Sequence, residues 1–189
     1  RHDFESLYKN NNAYGKYLFY SATANLYHVQ GDYVKAETLY RKAIETANSD
    51  LRTIDLSENY LNMARCLDKL TRRSEGVELL EKGLKNVKAT NGKALMYIQL
   101  CKMLYWEKRY GDYISYYHKA KQYFGKEIST DMAAYMTAIK EIIEGNADKA
   151  EKTAMGINNP DDRYAVLREV YVATGDYRKA YPIFRARAH

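Results

Sequence analysis

The chain has 189 residues, 46% hydrophobic and 29% charged, with 10 Gly and only 2 Pro. That length suits one sizeable domain or an elongated repeat array, and the scarcity of helix breakers favours a mostly helical protein. No run of about 18 apolar residues reads as a membrane span. The net charge of +6 is uneven, with 14 Lys/Arg against 6 Asp/Glu in residues 65–126.

The chain opens at Arg1 rather than Met, as a trimmed or processed piece would. Residues 1–12 carry Phe4, Leu7 and Tyr8 at helical spacing and then three asparagines. This predicts a short helix ending at Asn10-Asn11-Asn12, the remnant of an upstream repeat. From Ala13 to Gln30 apolar residues recur every three or four positions, the signal of an amphipathic helix. Gly31-Asp32 interrupts it, and a second helix is expected from about Tyr33 to Asn48. Around Gly31, large residues stand at Tyr20, Tyr27, Tyr33 and Tyr40, and small ones at Ala24, Ala36 and Ala43.

The same spacing returns around Thr71, with Tyr60, Ala64 and Leu67 before it and Gly76, Leu80 and Gly83 after it. Gly–Leu–Gly there replaces Ala–Tyr–Ala, which predicts a close backbone approach. The first helix of this copy is expected near Leu51. A third copy turns at Lys108, led by Tyr97, Cys101 and Leu104 and followed by Tyr110, Tyr113, Tyr117 and Ala120. Tyr113 stands where the other copies have a small residue. The fourth turns at Gly145, between Ala134, Ala138 and Glu141 on one side and Ala147, Ala150, Ala154 and Ile157 on the other. The fifth turns at Gly175, with Tyr164, Arg168 and Tyr171 before it and Tyr177, Ala180 and Phe184 after it. Its first helix is expected to start at Pro160, capped by Asn159 and favoured by Asp161-Asp162. Pro182 predicts a kink or a terminal helix packed on one side only.

This arrangement resembles the tetratricopeptide repeat, a helix-turn-helix unit of about 34 residues. The resemblance implies an all-α, right-handed superhelical solenoid of about five repeats, at about 13–50, 51–90, 91–128, 129–159 and 160–189, in a single array. Tyr20, Tyr60, Tyr97 and Tyr164 share one slot of the repeat, and Tyr33, Tyr110 and Tyr177 another. Such recurrence predicts seven tyrosines packed in the seams between helices.

Chemistry is sparse. His2, His28, His118 and His189 fall into no Ser-His-Asp order, and the chain has no HExxH, Walker loop or GxGxxG. Cys66 and Cys101 have no Cys or His within five residues and read as buried free thiols. No enzyme, no cofactor and no metal site is expected.

The resemblance does imply a partner-binding groove, lined by the first helix of each repeat about six residues before the turn and again two to three before it. The first positions are Asn25, Arg65, Lys102, Ile139 and Glu169; the second include His28, Lys69, Tyr105 and Trp106. Trp, Tyr and Arg dominate binding hot spots, and Asn, Arg and Lys here follow one another along one line. Some tetratricopeptide repeat domains clamp chaperone tails with two carboxylate-binding sets. Asn25 and Asn62 match that pattern, but Ser21, Leu95 and Gln99 replace its three cations, so the clamp is rejected. The expected function is a non-catalytic scaffold that binds a protein or peptide, acidic on charge grounds, in the groove. The alternatives are the sensory or regulatory repeat segment of a larger bacterial signalling protein and a basic nucleic-acid-binding helical repeat. Solvated lysines on outer helix faces are the commoner explanation of the basic centre.

Overall fold

A computed structural model describes the backbone of residues 2–51 and 53–187, and the side chains of 11–51, 53–182 and 185. The side chains of Phe4, Leu7, Tyr8 and Phe184, on which parts of the sequence reading rest, lie outside these. The described residues form an all-α helical repeat fold of ten α-helices, divided into two compact units, Arg1–Glu107 and Lys108–His189. The first unit holds α1 (His2–Val29), α2 (Tyr33–Asp50), α3 (Ser57–Lys69), α4 (Arg73–Asn86) and α5 (Thr90–Trp106). The second holds α6 (Tyr110–Ala120), a 3-10 turn (Lys121–Tyr123), α7 (Thr130–Ile143), α8 (Ala147–Met155), α9 (Pro160–Thr174) and α10 (Tyr177–Arg187).

At each of the five turns expected from sequence the backbone enters the left-handed region: Gly31 (φ 81°), Thr71 (60°), Lys108 (58°), Gly145 (80°) and Gly175 (68°). A left-handed residue after a helix lets the next N–H reach back across the last turn and close it. Asp32 N–H donates to the Tyr27 carbonyl (2.9 Å), Arg72 to Leu67 (2.8 Å), Asn146 to Glu141 (2.9 Å) and Asp176 to Tyr171 (3.0 Å). Where the turn is glycine, the following Asp or Asn also caps the next helix. Asp32 accepts from Lys35 N–H, Asn146 from Lys149 N–H and Asp176 from Lys179 N–H. Arg72 and Arg109 offer no such cap and pair instead with Glu75 and Asp112.

Thr71 therefore holds a strained conformation with an exposed, β-branched side chain. Left-handed backbone costs such a residue about 1–2 kcal/mol, while glycine enters it freely at some cost in chain entropy. Thr71→Gly is expected to raise the stability of the first unit by about 1 kcal/mol, read as a higher urea midpoint with an unchanged slope.

Small residues sit where paired helices approach. Ala24, Ala36, Ala43, Ala64, Ala120, Ala150 and Ala154 are fully buried, and Gly76 and Gly83 lie against neighbours so close that a Cβ has no room. The predicted start of α9 is found as expected: Asn159 Oδ1 accepts from the N–H groups of Asp161 (2.9 Å) and Asp162 (3.2 Å). α10 continues through Pro182, with Ala180 buried and Pro182 exposed.

Three expectations need correction. α1 does not end at the asparagines but runs unbroken from His2 to Val29. Asparagine costs a helix only a few tenths of a kcal/mol, and α1 is held by packing on α2, with Ala13 and Ala24 buried. The first helix of the second copy starts at Ser57, not near Leu51, because α2 continues to Asp50. Asp55 Oδ1 then accepts from the Ser57 N–H at 3.0 Å. Finally, the seven seam tyrosines are not uniformly core. Tyr60 is 1% exposed, but Tyr110 and Tyr177 are 41% and 77% exposed. Their slot falls at the first residue of α6 and α10, where the next turn of helix does not yet cover them.

Candidate partner-binding face

Of the nine positions expected to line the groove, seven lie in the first unit, on α1, α3 and α5. They are brought onto these helices by the common register of the turns at 31, 71 and 108. Asn25, Arg65, Lys69 and Trp106 are exposed, while His28, Lys102 and Tyr105 are half-buried. Ile139, the fourth-copy counterpart of Asn25, is 2% exposed and belongs to the core of the second unit. Glu169 is half-buried there.

A line of polar side chains crosses from helix to helix. Tyr17 Oη donates to Asn59 Oδ1 (2.9 Å), and Asn59 Nδ2 donates to Ser21 Oγ (2.9 Å), tying α1 to α3. Asn59 is itself buried, so both ends of its amide are satisfied as burial requires. Tyr40 Oη donates to Asn25 Oδ1. Arg65 then reaches from α3 to α5, donating through Nε to Gln99 Oε1 (3.4 Å) and through Nη1 to Asn62 Oδ1 (3.2 Å). Gln99 thus accepts where a chaperone clamp would have a cation. Leu95, at another departure from that pattern, is 49% exposed.

His28 is more scaffold than anchor. Its ring meets Tyr33 (5.6 Å) and Tyr40 (6.3 Å) edge-on, and Nδ1 lies 3.9 Å from Cys66 Sγ. Burial, and then the charges of Arg65 and Lys69, hold its pKa below the ordinary histidine value. The imidazole is therefore neutral at pH 7 and adds no charge to the face. Cys66 and Cys101 are buried free thiols. Burial, with Glu37 adding for Cys66, pushes them up to about 11 and about 12, so neither is a nucleophile at neutral pH.

The cations of the face differ from the arginines of α2 and of the start of α4. On α2 and at the start of α4 the arginines are paired: Arg41 with Glu37, Arg72 with Glu37 and Glu75, and Arg73 with Asp68 and Glu107. Arg65 hydrogen-bonds to neutral amides, and among the described residues neither Arg65 nor Lys69 has a carboxylate within ion-pair distance. Both act on His28 as positive charges. Beyond them on α5, Trp106 is 44% exposed and meets Tyr105 edge-on at 5.2 Å. Arg65 and Lys69 on α3 and Trp106 on α5 are thus exposed side chains of the kinds that hold carboxylates and apolar side chains.

Sequence spacing named the turn-proximal residues of this candidate face. It missed Tyr17 and Asn59, whose only signal was a polar residue, Asn59, in a slot that α5 fills with Met96.

Residues 20–53 match the family model described as "Tetratricopeptide repeat". The chain is similar to a solved structure, BtubC (BKLC) from P. vanneervenii, with a TM-score of 0.64 over 97% of this chain and 85% of that one. The identity is 23%, so the likeness is one of fold. No curated protein matches the sequence.

Proposed function

We propose that this chain, which carries a tetratricopeptide repeat at residues 20–53, is a non-catalytic scaffold that binds an acidic peptide or helix on the face of α1, α3 and α5. Repeats of this family are generally protein-interaction scaffolds, which supports the broad reading. The observation that carries the finer one is the contrast in pairing: Arg72 and Arg73 sit in ion pairs, while Arg65 and Lys69 meet no carboxylate among the described residues. A partner carboxylate would supply the missing charge, worth about 1.5–3 kcal/mol per charge-assisted hydrogen bond. Trp106 would take an apolar side chain beside it.

The test is selection of a random peptide display library on the protein. Peptides enriched in Asp and Glu are expected, and their binding should change the fluorescence of the single tryptophan. Arg65→Glu with Lys69→Glu should weaken the selected peptides about 100-fold, from the loss of two such bonds. Lys82→Glu with Lys85→Glu, the same charge change on α4, should leave them within about twofold. Peptides without acidic bias, or equal loss in the two double variants, would overturn the assignment.

A further inference from the structure

On α5, Leu95, Gln99, Lys102 and Trp106 follow one another at helical spacing. Such residues lie within about 60° of each other around the axis and form one stripe. The stripe is polar in the middle and apolar at both ends, with Leu95 49% and Trp106 44% exposed. The core residues of the same helix, Met96, Leu100, Met103 and Leu104, are all 1% exposed or less. They sit about 80–180° round the axis from Leu95, so the two open side chains belong to a different side of α5.

The charge between those ends comes from α3. Gln99 Oε1 accepts from Arg65 Nε at 3.4 Å, which fixes Arg65 against the middle of the stripe. Lys69 follows one turn later on the same side of α3. Glu58, two turns before Arg65 on that side, is exposed, so the positive charge is confined to the part of α3 nearer the turn.

A rise of 1.5 Å per residue puts Leu95 and Trp106 about 16.5 Å apart along α5, with Gln99 about 6 Å from the Leu95 end. A helical ligand needs eleven residues to cross that distance, and its own carbonyls are already hydrogen-bonded. An extended chain crosses it in about five residues, at about 3.3 Å each, and leaves main-chain carbonyls to be met. The face offers donors for them. Asn25 Oδ1 is taken by Tyr40 Oη and Gln99 Oε1 by Arg65, while among the described residues neither amide N–H2 group has an acceptor.

We propose, resting on the acidic-peptide reading above, that the ligand of this face is an extended segment in which two apolar side chains about five residues apart flank an acidic one. Leu95 and Trp106 take the apolar pair, and Arg65 with Lys69 takes the acid between them.

The random peptide selection on the full chain, repeated on single variants, tests it. The wild type should enrich apolar residues at two positions four to six apart, with Asp or Glu between them. Leu95→Ser should erase the preference at one of the two positions and Trp106→Ser at the other, each with unchanged helical circular dichroism. Leu95→Lys should convert the first position to Asp or Glu, a gain that mere loss of folding would not produce. In anisotropy titrations of a labelled selected peptide, Trp106→Ser should weaken binding about 30-fold and Leu95→Ser about 10-fold. Acidic peptides without the apolar pair, an apolar pair eleven residues apart, or a Leu95→Lys variant that selects the same sequences as the wild type would overturn this inference and leave the acidic-peptide reading standing. Peptides without acidic bias would overturn both.

Discussion

Gly83→Ala is expected to destabilise the first unit by about 2 kcal/mol, although alanine is the better helix former by about 1 kcal/mol. Gly83 lies inside α4, and a Cβ on it would stand 2.8 Å from Tyr60 Cγ, 3.0 Å from Tyr60 Cδ1 and 2.6 Å from Met96 Cε. The methionine end can swing aside, since its thioether has several low-energy rotamers. Tyr60 cannot. It is 1% exposed, and its ring fills the seam that Gly83 opens, so the two helices must separate or the ring must leave its rotamer. Overpacking of this kind costs about 1–3 kcal/mol, and more where no neighbour can give. Gly15→Ala in α1 is the control, because nothing lies within 4 Å of its added Cβ. It should gain about 1 kcal/mol from propensity alone. Urea titrations of the two variants should therefore move in opposite directions. A stabilised Gly83→Ala would mean that α3 and α4 are not packed at that distance.

The same pair of residues explains why so much of the fold was legible in the sequence. A helix-to-helix turn needs one left-handed residue, and helices in close contact need small ones at fixed distances from it. Together these locate Thr71 and Lys108 as turns even though neither is glycine, because Ala64, Gly76 and Gly83 keep the register around the first and Cys101 and Ala120 around the second. What the sequence obscured depends on packing rather than on pattern. Asn10–Asn12 look like a helix end, but α1 is carried through by its contact with α2. Tyr177 shares a slot with Tyr33 yet is left open at the start of α10. Ile139 has the position of Asn25 in its repeat, but its side chain is apolar and takes part in the core instead. For the candidate face, spacing placed Arg65 and Lys69 on the first helix of their repeat. The feature on which their proposed role rests, that neither meets a carboxylate among the described residues, is a tertiary one. So is the Tyr17–Asn59–Ser21 chain, whose members are 42 and 38 residues apart.

Tyr113→Ala is expected to cost the second unit about 3–5 kcal/mol, the range for deleting a buried aromatic ring. Tyr113 is the misfit of the repeat pattern, a large residue five after the turn where Ala36, Gly76, Ala150 and Ala180 stand in the other copies. It lies on α6, just after the turn at which the chain divides into its two units. The ring is 2% exposed and stacks with Tyr117 at 6.5 Å and 14°. Its hydroxyl donates to the Met136 carbonyl on α7 at 2.7 Å, a buried bond. The residue thus serves the following helix, joining α6 to α7 by both area and a hydrogen bond. Alanine, which the repeat pattern would favour, should leave a cavity beside Tyr117 and lose the bond as well. Tyr113→Phe separates the two effects: it keeps the ring and should cost about 1 kcal/mol, the usual net value of one hydrogen bond. The comparison is made by urea denaturation of both variants, with near-ultraviolet circular dichroism reporting the tyrosine environment. If the alanine variant is as stable as the wild type, the small-residue rule holds at this position too and the ring contributes nothing to the α6–α7 contact.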